Sequence, residues 1–298
     1  MKNSFAGYHP GVNFLWAALV LAGAMALRHP VSLLIALCCS LAWSVRLGGR
    51  AAVRFSLRGM LPLVVLTTLL NPLFSHAGAT ILTYLPGGNP LTLESILFGL
   101  SAGLSLVTVI LWFSGLTKVL TGDKFMVLFG KAVPALSLVL SMAMGLVPRF
   151  KRRLEQVARG QKAVGRDPAQ GTLLQRARKG LRVLSILVTW AMEDAIQTAD
   201  SMRGRGYGLP GRTAYDPAPL TRRDRDALWF LGLLGGFLGC MVLQGAFQWQ
   251  YYPVITGVGL NIRSVTAEVC YLVLCAFPLL LDWWEEKLWD RERGGEAP

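Results

Sequence analysis

The chain has 298 residues, 53% of them apolar and 16% charged, with a net charge of +13 and a mean hydropathy of +0.46. So little charge excludes an ordinary soluble domain, and the length accommodates several membrane spans of about 20 residues each. The five cysteines, Cys38, Cys39, Cys240, Cys270 and Cys275, lie in apolar segments without C-x-x-C spacing. They read as small core residues rather than as a disulfide framework or a metal site.

Two apolar runs, Val12 to Leu27 and Val31 to Val45, open the chain, separated by Arg28-His29-Pro30. Proline there discourages one continuous helix and the charge favours a bilayer surface, which predicts a tight helical hairpin. No secretory cleavage pattern accompanies the first run, so it is expected to stay in the protein. Arg46, Arg50, Arg54 and Arg58 follow at steps of four. In a regular helix that spacing puts all four on one face, which should meet cytoplasm or anionic headgroups.

A third span runs from near Met60 to Leu70, and Asn71 to Leu93 then contains no Lys, Arg, Asp or Glu. By the positive-inside rule this segment belongs outside. Leu93 to Thr117 crosses back, and Lys118, Lys124 and Lys131 follow. Ala132 to Val147 is apolar but of marginal spanning length and is read as lying against the bundle rather than crossing it.

Leu146 to Asp226 is the long charged stretch, with 17 Lys/Arg against 8 Asp/Glu, which reads as a cytoplasmic platform. Within it, Leu173 to Met202 places Leu181, Leu184, Val188, Ala191, Ala195 and Ala199 on one stripe, the pattern of a long amphipathic helix. That helix ends at Gly204 and Gly206, both able to adopt the left-handed conformations of a helix terminus. Arg205 is therefore presented at a helix end between residues without bulk. Its planar fork suits a partner's carboxylate or exposed helix carbonyls; the alternative is a solvated or lipid-phosphate-binding arginine.

Two further spans, Ala227 to Gly245 and Thr266 to Leu281, flank an outer loop carrying Trp249, Tyr251 and Tyr252, residues of an interfacial belt. Gly232, Gly235, Gly236 and Gly239 form two overlapping G-x-x-x-G steps, which strip one helix face of side chains. They serve packing inside the chain or a surface for a partner membrane protein. Six spans with both termini cytoplasmic is the simplest count. The expected architecture is an all-α polytopic membrane helix bundle with long cytoplasmic coupling helices, divided as 1–147, 148–226 and 227–298.

Several segments carry a family resemblance. Gln161-Lys162-Ala163-Val164-Gly165-Arg166-Asp167, Thr189 to Ile196, and Ser201-Met202-Arg203-Gly204-Arg205-Gly206-Tyr207-Gly208 resemble the coupling domain of the transmembrane T component of energy-coupling factor transporters. Asn71-Pro72-Leu73-Phe74-Ser75-His76-Ala77-Gly78 and Val147-Pro148 are similar to further segments of that family. The resemblance implies two short Ala-Arg-Gly-like motifs that dock two cytoplasmic ATPase subunits, here Ala163, Val164, Gly165 and Arg166, then Gly204, Arg205 and Gly206. It also implies a separate substrate-binding membrane subunit that imports a vitamin or metal ion. The first motif departs from the pattern: Val164 stands where the family often has arginine, and Arg166 comes two residues later. An Ala158-Arg159-Gly160 lies five residues upstream, and Arg159 and Arg166 are equally readable as ordinary solvated charges.

No G-x-x-x-x-G-K-[ST] loop is present, so the chain itself is not expected to hydrolyse ATP, and no H-E-x-x-H or G-x-S-x-G marks an enzyme. No cofactor is expected. His9, His29 and His76 are scattered, and the basic platform lacks the interleaved aromatics of a nucleic-acid surface. The expected function is a noncatalytic scaffold in the cell membrane that works against the lipid bilayer with ATPases and a substrate-binding subunit. The alternatives are a membrane-embedded enzyme and a conventional permease that binds its own substrate.

Overall fold

The computed structural model describes residues 4–84, 90–130, 134–167, 170–210, 219–259 and 261–294; Lys131 and Ala132, and residues 85–89 of the outer segment, lie outside them. The architecture is all-α apart from two short ribbons. The helices are α1 (Pro10–Ala26), α2 (Pro30–Phe55), α3 (Leu61–Phe74), α4 (Leu93–Val119), α5 (Gly122–Gly130), α6 (Pro134–Ala163), α7 (Leu173–Gly204), α8 (Arg222–Leu243) and α9 (Ile262–Gly294). The ribbons are antiparallel pairs, β1 (Ile81–Tyr84) with β2 (Pro90–Thr92) and β3 (Trp249–Gln250) with β4 (Thr256–Gly257). Two compact units result, one from 1–121 with 219–298, the other from 122–218.

In the first unit α2, α4, α8 and α9 are long and apolar enough to cross a membrane. The other two expected spans are shorter apolar helices, Pro10–Ala26 and Arg58–Phe74, near the lower limit of about 17 residues for a crossing. Local chemistry sets the boundaries. Pro30 begins α2 in the first turn, where its missing N–H costs nothing; the Thr92 hydroxyl accepts from Ser95 N at the start of α4; Thr221 and Asp224 cap each other's backbone at the start of α8.

The core of this unit is aromatic. Trp16 of α1, Trp43 of α2 and Trp112 of α4 are fully buried, with ring centroids 5.1, 5.4 and 5.5 Å apart. Trp16 Nε1 donates to Leu274 O of α9 at 2.8 Å, so the indole's polar atom is satisfied inside the apolar centre. Glycines allow this density. A Cβ on Gly115 would lie 2.4 Å from the Trp43 ring, and one on Gly103 would lie 2.2 Å from Thr67 Oγ1 of α3. Gly99 and Gly103 are therefore the small-residue step that lets α3 and α4 approach closely.

The α8 glycines divide. Gly235 packs inside the unit, where a Cβ would sit 2.7 Å from Leu19 of α1, whereas Gly232, Gly236 and Gly239 face open space. Among the cysteines only Cys275 is buried; Cys38 and Cys240 are exposed on helix faces, so the core role expected for the set applies to one member fully.

The arginine row after Val45 is not one face. Gly49 takes φ 55° and ψ −142° inside α2, and Ser56–Met60 forms a π-turn, so the helical phase is lost twice between Arg46 and Arg58. Arg46 turns toward α9, with Nε 3.3 Å from Asp282 Oδ2 and a terminal nitrogen 2.7 Å from Glu286 Oε1. Arg50, Arg54 and Arg58 are exposed. Beside Arg46, Arg223 of α8 pairs with Glu285 and lies 3.9 Å over the Tyr8 ring. Burial pushes the Tyr8 phenol up despite the neighbouring guanidinium, which keeps it neutral.

At the other end of the same helices, His29 Nδ1 lies 3.0 Å from Glu268 Oε1, which also accepts from Ser32 Oγ at 2.7 Å; all three side chains are buried. The pair ties the α1–α2 turn to α9 and excludes a bare carboxylate in the apolar interior. In the outer segment, Asn71 Nδ2 donates to Ser95 O at 2.6 Å and to Tyr252 Oη at 3.1 Å, joining α3, α4 and the loop after β3.

The second unit holds α5, α6 and α7. Helix α6 runs unbroken through Pro148, so the apolar run and the basic run after it are one helix. Its contact with α7 is small: Val157 meets Val183 and Leu187, with Ile186 alongside. Arg153 adds a bidentate pair to Asp194, both distances 3.0 Å, and stacks 5.5 Å over Trp190. The apolar stripe read from the sequence is the open face of α7. Leu181 is 65% exposed, Leu184 54% and Val188 50%, because α6 occupies the adjacent strip of Val183, Leu187 and Asp194.

Candidate docking site

The residues singled out at the ends of the two long helices of the second unit share one backbone device. At the end of α6, Arg166 N donates to Gln161 O at 2.8 Å, Gly165 N donates to Lys162 O at 3.0 Å, and Gly165 has φ 75°. At the end of α7, Tyr207 N donates to Met202 O at 2.9 Å, Gly206 N donates to Arg203 O at 3.0 Å, and Gly206 has φ 78°. Both are Schellman caps, in which a left-handed glycine turns the chain and satisfies the last carbonyls.

The common geometry aligns the motifs residue by residue. Gly165 corresponds to Gly206, Val164 to Arg205, Ala163 to Gly204 and Arg166 to Tyr207. Left-handed backbone is required at Gly206, and also at Gly208 with φ 96°, while Gly204 remains helical and not left-handed as expected. Any other residue at Gly165 or Gly206 would meet the Cβ penalty of that conformation.

Exposure matches at the two ends. Ala163, Val164, Gly165 and Arg166 are all exposed, with Val164 at 70%. Gly204 and Arg205 are exposed and Gly206 is half-buried. Neither Arg166 nor Arg205 pairs with an acid among the described residues. Arg159, in contrast, turns back along its own helix, with Nε 3.3 Å from Glu155 O and a terminal nitrogen 4.0 Å from Glu155 Oε2. The loop after the first cap is held from within: Lys162 pairs with Asp167 at 3.5 Å, and Lys179 Nζ donates to Asp167 O at 2.9 Å and to Gln170 O at 3.1 Å. At the other side of that loop Gln175 Oε1 accepts from Thr172 N at 3.2 Å, starting α7.

Chemically, these ends offer backbone turns, one exposed valine and two exposed guanidinium groups. The histidines lie elsewhere: His9 Nδ1 accepts from Gly11 N and caps α1, and His29 belongs to the Glu268 pair. Among the described residues no three His, Cys, Asp or Glu side chains are grouped to hold a metal ion.

The fold defines a multi-pass α-helical membrane protein with a second compact unit of three helices, α5, α6 and α7. The energy-coupling factor transporter transmembrane protein EcfT of Thermosediminibacter oceani is 31% identical over 199 residues, 61% of this chain and 73% of that protein. The chain belongs to this family of energy-coupling factor transporter transmembrane proteins. EcfT proteins of Lactobacillus helveticus and Exiguobacterium sibiricum are each 31% identical over 112 and 113 residues, so the chain spans about two fifths of their length, 40% and 42%. No family model matches the chain.

Proposed function

We propose that the chain is the noncatalytic coupling scaffold of an energy-coupling factor importer, linking two cytoplasmic ATPases to a separate membrane subunit that binds a vitamin or metal ion. The observation that carries this reading is the pair of equivalent, exposed caps at Ala163–Arg166 and Gly204–Tyr207. Two identical turns on two helices suit two related partners. Gly204, Arg205 and Gly206 form one docking end; Ala163, Val164, Gly165 and Arg166 form the other. The coupling domain is assigned to 148–226, between membrane segments 1–147 and 227–298, with both termini and the caps in the cytoplasm. The uncovered apolar stripe of α7, through Leu181, Leu184 and Val188, is the surface offered to the substrate-binding subunit. ATP-driven movement of the docked ATPases reaches that surface through α6 and α7, which requires contacts that differ between the two ATPase states.

Copurification with candidate ATPases tests the reading. As an interfacial arginine whose removal leaves its partner unpaired, Arg205→Ala should cost about 2 to 5 kcal/mol of association, roughly a 30-fold to several-thousand-fold loss. Arg205→Glu should lose more, while both variants insert and purify normally. ATPase association unchanged in Arg205→Glu would remove the docking role, and uptake by this chain alone without ATP would replace the scaffold with a conventional permease. Cysteine labels at Thr83 should react from outside and at Gly171 only from inside; the reverse would overturn the orientation.

A further inference from the structure

The acid–base accounting of the first unit is uneven. At the end of the bundle where α2 meets α9, two arginines have acids: Arg46 has Asp282 and Glu286, and Arg223 has Glu285. Past the Gly49 break the balance changes within one turn. Arg50, Arg54 and Arg58 are exposed and pair with no acid among the described residues. Lys118, at the end of α4, joins them: a Cβ on Gly48 would lie 2.7 Å from its Nζ, so the ammonium rests against the bare backbone just before Arg50. Lys118 likewise has no acidic partner among the described residues.

The apolar residues of the same segment supply the second observation. Val53 is 38% exposed and Phe55 45%, while among the described side chains between residues 49 and 60 only Ala52 and Met60 are buried. A segment that shows three arginines, a valine and a phenylalanine, with Lys118 of α4 beside its start, has the composition of a membrane interface. The apolar residues suit the acyl boundary and the guanidinium forks suit phosphate oxygens bidentately.

We propose that Arg50, Arg54, Arg58 and Lys118 form a binding site for the phosphate headgroup of an anionic phospholipid of the inner leaflet, with Val53 and Phe55 against its acyl chains. The lipid supplies the missing counter-charge for the α2–α4 corner. An acidic protein surface would satisfy the charges but leave Val53 and Phe55 without an apolar partner, which is why lipid is favoured.

Native mass spectrometry of the full-length protein, titrated in detergent with phosphatidylglycerol or phosphatidylcholine, tests the site. The wild type should bind a first phosphatidylglycerol more tightly than phosphatidylcholine. Neutralising Arg50→Gln, Arg54→Gln and Arg58→Gln should weaken phosphatidylglycerol alone, by about fivefold per arginine. Arg176→Gln, Arg178→Gln and Arg182→Gln, the same change of charge on α7, should leave it unaltered. Equal binding of the two lipids, equal losses in both triple variants, or a loss of copurified protein partner with lipid preference intact would each overturn the proposal; the last would assign the corner to an acidic protein.

Discussion

The two units of this protein solve opposite problems. The unit of residues 1–121 and 219–298 buries three tryptophans against one another, satisfies the Trp16 indole on Leu274 O, pairs Arg46 and Arg223 with acids, and sets Glu268 against Ser32 and His29. The unit of residues 122–218 has a core of Val157, Val183 and Leu187, and leaves a stripe of α7 more than half uncovered at Leu181 and Leu184. The first has a large buried core, while side chains such as Leu61, Phe74 and Leu233 are exposed on it as well. The other carries apolar surface whose burial, at roughly 25 cal/mol per Å², remains to be gained from something else. The lesson is that the size of the buried core, not charge alone, separates the two units.

The largest test of that contrast lies at the aromatic centre. Trp16→Ala removes contacts with Trp43, Trp112 and Phe5 together with the bond to Leu274 O, and should cost about 3 to 5 kcal/mol. Unfolding titrated with sodium dodecyl sulfate would measure it; a cost below about 1 kcal/mol would mean that the first unit is no more self-contained than the second.

Next comes the open face of α7. Leu184→Glu should leave the unfolding midpoint nearly unchanged, within about 0.5 kcal/mol, because the side chain is already exposed. The same variant should weaken association with the substrate-binding subunit at least about tenfold. If it unfolds the protein instead, the stripe is structural and the contrast between units fails.

A smaller effect is expected where α6 and α7 meet. A double-mutant cycle on Arg153→Ala and Asp194→Ala should give a coupling of about 1 kcal/mol, since the pair is bidentate but about a third exposed. Zero coupling would leave the Val157 cluster and the Arg153–Trp190 stack as what sets the crossing of the helices.

The smallest effects separate the arginines near the first cap. Arg159→Ala should change ATPase association by less than about 0.5 kcal/mol, since Arg159 folds back on Glu155. Arg166→Ala should weaken it more, because that side chain has no acid of its own. Equal, negligible effects would mean that this end docks through Val164 and the backbone of the turn.

Much of this was legible from the chain alone, for local reasons. Bilayer-length apolar runs, Pro30 at a helix start, the amphipathic repeat from Leu173 and the left-handed glycine at 206 depend on residues within a few positions of one another, so their spacing determined the helices and one of the caps. The lack of acid from Asn71 to Leu93 and the excess of base from Arg149 onward are likewise properties of order in the sequence. Tertiary structure decided what depends on residues far apart. Gly99, Gly103 and Gly115 are packing glycines because Thr67 and Trp43 come to lie over them, whereas Gly232, Gly236 and Gly239, with the more conspicuous spacing, face open space. Arg46 differs from Arg50, Arg54 and Arg58 because Gly49 turns the helix and Asp282, over two hundred residues away, stands within reach of only the first. The buried strip of α7 is Val183 and Leu187 and not Leu181 and Leu184 because α6 approaches from that side, and no periodicity in α7 can encode the direction from which its neighbour arrives.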